Sequence, residues 1–123
     1  MADQKDNQTV RSNTHRQFEV VTWEKSSQPT QEEAEARLHQ EGYDSFCWYD
    51  VPGAAYPRHR HDYDECLWIL KGEMDFSHLH EGAEDAFHLK TGDRVYLPAH
   101  TSHTVQIPKG AAGCTYLVGQ RKD

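Results

Sequence analysis

An all-β fold of the sandwich or barrel kind is predicted for this chain by three observations. Short runs rich in aromatic and β-branched residues recur at roughly even spacing, Gly and Pro punctuate them, and only one stretch has helical signals. The chain has 123 residues, a length suited to one compact domain. Residues 1–16 are polar, with Ala2 and Val10 as their aliphatics, and are read as a flexible tail preceding a single domain over 17–123. Three Trp, six Tyr and four Phe supply the large side chains that a modest core needs.

Each element follows from local pattern. QFEVVTWE, residues 17–24, alternates weakly and predicts a first strand. Thr30-Gln31-Glu32-Glu33 follows Pro29 as a capping box and starts a short surface helix, with Ala34 and Leu38 as its apolar stripe, a Glu33–Arg37 pair and Gly42 as its stop. YDSFCWYDV is a strand ended by PGAAYP. ECLWILKG and EMDFSHL follow, then a hairpin loop HEGAED, the strands AFHLK and RVYLP, and finally HTVQI and CTYLVG. Phe46 and Trp48 are read as core aromatics first and pocket-lining residues second.

Composition narrows the function classes. Thirteen Lys+Arg against twenty Asp+Glu give a net charge of −7 and no clustered basic patch, which argues against nucleic acid and anionic membranes as partners. No apolar run has the ~20 residues needed to cross a bilayer, and the N-terminus lacks a signal-like stretch, so a cytoplasmic location is expected. Cys47, Cys66 and Cys114 show no paired spacing and read as reduced core or sheet residues. Nine histidines are the outlying count.

The histidines that carry chemistry lie between Gly53 and Ile107. On a strand, His59 and His61 leave the same face, and Glu65 keeps that parity if the intervening turn is compact. Two imidazoles and a carboxylate suit one divalent transition ion (Mn, Fe, Ni, Co or Zn) better than Ca or Mg. His103 opens the strand HTVQI and shares a face with Val105 and Ile107, while Glu65 shares one with Leu67 and Ile69. Each strand thus sets one polar group above aliphatic side chains. Cys66 has the opposite parity and points away. His78, His80 and His88 read as surface residues, Arg58 and Arg60 as facing solvent or a partner subunit, and Asp62-Tyr63-Asp64 as a solvated turn.

Gly53-x5-His59-x-His61-x3-Glu65-x6-Gly72 and Gly92-x5-Pro98-x4-His103 resemble the two motifs of the cupin superfamily. The resemblance implies a cupin-type jelly-roll β-barrel, core about 43–119, with one short N-terminal surface helix, and a metal held by His59, His61, Glu65 and His103. Two positions depart from the family pattern: His100 stands where Gly is frequent, and Ile107 where Asn is. The first reads as a solvated turn residue beside the barrel mouth, and the second makes the interior more apolar. The family implies a metal-dependent enzyme of oxygenase or isomerase type acting on a small polar metabolite, or alternatively a non-enzymatic metal or small-molecule binding and sensing module. A homodimer is expected because a thin core favours burial of further surface, with Val20, Val21 and Trp23 as the contact.

Overall fold

The computed structural model describes residues 17–110 and 112–122; the expected tail lies outside them. Nine strands and one helix follow in the order β1 (Glu19–Val21), α1 (Gln31–Gln40), β2 (Asp44–Asp50), β3 (Ala55–His59), β4 (Asp64–Lys71), β5 (Met74–His80), β6 (Ala83–Leu89), β7 (Arg94–Leu97), β8 (Ser102–Gln106) and β9 (Cys114–Arg121). They form two antiparallel sheets, ordered β1-β7-β4-β9-β2 and β3-β8-β5-β6. This is the jelly roll expected, with one difference: no ladder among the described residues closes the sheets into a hydrogen-bonded barrel. β2 and β3 are consecutive, each at a sheet edge, and stand apart around a cavity.

Alternation along β4 explains why the molecule has two cores. Leu67 and Ile69 point between the sheets, where they meet Met74 and Phe76 of β5, Val95 and Leu97 of β7, and Val105 and Ile107. Cys66, Trp68 and Leu70 point the other way, onto Tyr96, Leu117 and the buried Ala34 and Leu38 of α1. The surface helix therefore covers the outer face of the larger sheet, which would otherwise expose an apolar layer to water.

The capping box forms as expected: Thr30 Oγ1 accepts from the Glu33 N–H, and Glu33 Oε1 accepts from the Thr30 N–H and hydroxyl. That use of Glu33 removes it from the expected pair with Arg37. Arg37 instead reaches one turn onward, its Nε 2.9 Å from Glu41 Oε2. Val20, Val21 and Trp23, expected at a subunit contact, pack against the chain's own cores, and β1 pairs with β7.

β5 and β6 join through a two-residue turn, Glu81-Gly82, in which both residues have positive φ (50° and 79°). Such a turn matches the twist of the flanking strands. On the outer face of this hairpin His88 lies between two carboxylates, with Nδ1 2.6 Å from Asp75 and Nε2 2.7 Å from Glu73. Hydrogen bonding to Asp75 and then Glu73 raises its pKa above the usual imidazole value. Because the folded pKa is raised, the triad contributes stability fully below the unfolded value of ~6.5, and that contribution fades as pH rises through the folded pKa. An NMR titration of His88 is expected to show a midpoint above ~6.5, and His88→Ala to lessen the fall in stability over that range. A midpoint at or below the unfolded value contradicts the assignment.

Candidate metal centre

Pro57 sets the geometry of the site. It lies inside β3, although its ring permits no N–H donation to a ladder, because β3 is an edge strand and is irregular at that point. Tyr56 pairs with Val105 and His59 with His103, so two residues on β3 oppose the single Thr104 on β8. Without the extra residue, Arg58 would stand opposite His103 and His59 would face out. The bulge thus turns His59 inward. It also corrects the expectation of unbroken strand parity through His61: the strand ends at His59, and His61 follows it in the turn before β4.

The three imidazoles converge. Ring centroids are 4.2 Å apart for His59 and His103, 4.9 Å for His59 and His61, and 5.5 Å for His61 and His103. One ring nitrogen from each lies within 4.8 Å of the others, an arrangement that can hold a metal ion. Glu65, buried at the start of β4, faces them from the other sheet, with its oxygens 3.4 Å from His103 Nε2 and 3.6 Å from His61 Nε2. Ligands about 2.1 Å from one ion and at right or tetrahedral angles stand about 3.0–3.4 Å apart; the His103–Glu65 spacing falls in that range, and the His61–Glu65 spacing enters it with a small side-chain movement.

Tautomers agree with that use. His59 Nδ1 is 2.7 Å from the Pro57 carbonyl and His103 Nδ1 is 2.8 Å from the Thr101 carbonyl. A carbonyl only accepts, so each Nδ1 carries the proton and leaves an Nε2 lone pair to face inward. Burial, aided by the neighbouring His103 and His59 and opposed by Glu65, lowers the pKa of His61, which favours its neutral form. The donor set of three imidazoles and one carboxylate fits a divalent transition ion.

Residues outside this group hold it in place. Asp64, expected in a solvated turn, is buried: its Oδ2 accepts from Arg121 Nη2 at 2.8 Å, and its Oδ1 from the Ala99 N–H at 2.9 Å. This ties the start of β4 to the loop leading to His103. Tyr63 stacks on His61 (centroids 4.7 Å, 14°), and Phe76 packs under His103. His78, expected at the surface, is half-buried, stacks on Phe18 and pairs across the ladder with His103. His80 and His88 are exposed as expected.

The imidazoles and Glu65 border a cavity of about 490 Å³ whose walls are otherwise mainly apolar, among them Phe46, Trp48, Tyr56, Leu67 and Val105. Phe46 and Trp48 are 46% and 48% exposed, so they are cavity walls and not core. Arg58 also borders the cavity, contrary to the expectation that it simply faces solvent. Asp50, which no sequence motif singled out, organises this wall: it accepts from Trp48 Nε1 at 3.0 Å and from the hydroxyls of Tyr56 and Tyr116, each at 2.7 Å. No local pattern marks Asp50, because its three donors come from three strands.

A family model for the cupin domain matches residues 48–118. The chain is a cupin. This cupin is 31% identical over 70 residues to a 3-hydroxyanthranilate 3,4-dioxygenase of Burkholderia lata, a match covering 53% of this chain and 40% of that protein. Among solved structures it resembles an oxalate decarboxylase of Bacillus subtilis (TM-score 0.59, 22% identity, 66% of this chain and 21% of that one). It also resembles a DMSP lyase of Ruegeria pomeroyi (TM-score 0.56, 30% identity, 67% and 39%). The match spans less than half the length of each of these proteins.

His100, where many cupins carry Gly, has a φ of +68°. Its exposed imidazole lies outside the group of converging imidazoles, while its N–H donates to the His61 carbonyl at 2.6 Å and anchors that loop. A left-handed conformation is cheap for Gly and unfavourable for a residue with Cβ. His100→Gly is therefore expected to raise stability by about 1 kcal/mol in urea denaturation and to leave metal content unchanged. A loss of stability or of metal contradicts this account.

Proposed function

We propose that this cupin is a metal-dependent enzyme of oxygenase or isomerase type, with His59, His61, Glu65 and His103 as the metal ligands. The observation that supports this is the position of the imidazole–carboxylate group at the edge of an aromatic-walled cavity. When bound, a divalent transition ion supplies Lewis acidity and, if redox-active, an electron. Phe46, Trp48 and Tyr56 cover the body of a small molecule, so the substrate carries an apolar portion besides the polar groups expected from sequence. Asp50 fixes the Tyr56 ring by its hydrogen bond, and Arg58 borders the cavity. The chain's similarity to a dioxygenase is consistent with this reading.

Elemental analysis of tag-free protein tests the ligand set. His61→Ala is expected to lower metal content, and His39→Ala, on the exposed side of α1, to leave it unchanged; equal content in both rejects the assignment. Dioxygen uptake by iron-loaded protein with a panel of small aromatic and aliphatic acids then separates the two chemistries, since an isomerase converts its substrate without consuming oxygen. Ligand binding that quenches Trp fluorescence without turnover supports the alternative, a binding or sensing module.

We also propose that the protein is a homodimer, supported by the exposed side chains of Tyr49 and Val51, which lie at the end of and just beyond edge strand β2 and do not border that cavity. Sedimentation velocity at micromolar concentration tests this, and a purely monomeric species rejects it.

A further inference from the structure

We propose that His78, His80 and Asp85 form a second divalent-metal site on the β5–β6 hairpin, distinct from the imidazole–carboxylate group beside the cavity and taking a borderline ion of the zinc kind. His78 and Asp85 are direct cross-strand partners, and His80, two residues beyond His78, leaves the same face. Their donor atoms lie within 4.8 Å of one another, and His80 Nε2 is 2.9 Å from Asp85 Oδ2.

The backbone pre-organises the trio. The two-residue turn at Glu81-Gly82 fixes the register of the strands that carry all three donors. The His78 ring stacks on Phe18 (centroids 3.9 Å, 13°) and is held there, whereas the exposed His80 ring, now stacked on it (4.6 Å, 14°), rotates to aim its lone pair at a shared ion. Two imidazoles and one carboxylate are the ligand types that zinc, nickel and copper favour. The competing reading is an exposed His80–Asp85 ion pair with His78 as a packing residue.

Calorimetric titration of chelator-stripped, tag-free full-length protein with Zn²⁺ distinguishes the readings. The wild type is expected to take up about two ions per chain and His80→Ala about one. Asp85→Asn, which keeps the side-chain volume, is expected to weaken one of the two binding events by about tenfold or more while the melting temperature of the metal-free protein stays the same. The proposed metal ligation by His61 is scored separately, since His61→Ala removes the other event and leaves the hairpin site. If His80→Ala binds as many ions as the wild type, the trio is an ion pair and the proposal is overturned. It is overturned equally if His39→Ala, which deletes an unrelated exposed imidazole, loses as much binding as His80→Ala.

Discussion

The site depends on one irregularity, the bulge that places two residues of β3 opposite one of β8. Strand parity is strict, so a single inserted residue exchanges the inward and outward sets of side chains for everything beyond it. Here that exchange brings an imidazole in and turns a guanidinium aside. Pro57 makes the bulge inexpensive, because a position that cannot donate to a ladder loses little when the ladder is interrupted. The same residue's carbonyl then accepts a hydrogen bond from the His59 Nδ1–H, so the feature that places the ring also chooses its tautomer.

Around that feature the two sheets divide the work. The smaller sheet brings His59 and His103 side by side, and the larger sheet offers Glu65 from across the interior. A carboxylate with little exposure is tolerable there only because imidazole nitrogens face it, and its neighbour Asp64 is satisfied separately by Arg121 and the Ala99 N–H. Beneath them Leu67, Val105 and Ile107 make the packing apolar, Ile107 standing where related sequences often carry an amide, and the buried Asp50 cluster is a second, separate polar patch.

Much of this was legible in the sequence, and the reasons differ by element. Glu65, Leu67 and Ile69 against Cys66, Trp68 and Leu70 could be assigned to opposite faces because β4 is long and its central pairing follows simple alternation. The capping box at Thr30 depends on four adjacent residues and was equally readable. Parity failed beyond Tyr56, because a bulge is a property of a strand pair and not of one strand. Asp50 and Asp64 were opaque for a related reason: each is buried through a partner far along the chain, Tyr116 at 66 positions and Arg121 at 57, and the nearer donors Trp48 and Tyr56 reach Asp50 only once β2 and β3 are folded. Phe46 and Trp48 look like core residues locally, and only the gap between two sheet edges makes them walls.

That gap has a consequence for how such a protein can diversify. The side chains facing the cavity from β2 belong to a strand that carries none of the imidazoles or the Glu65 carboxylate. Substitutions at Phe46 can therefore reshape the cavity while the polar group stays in register. Trp48, Tyr56 and Tyr116 are less free, since all three donate to Asp50, and replacing any one with an aliphatic residue leaves that carboxylate short of a partner. Selectivity is thus expected to drift along one edge of the fold in small steps, and to change abruptly only when the Asp50 cluster is replaced as a unit.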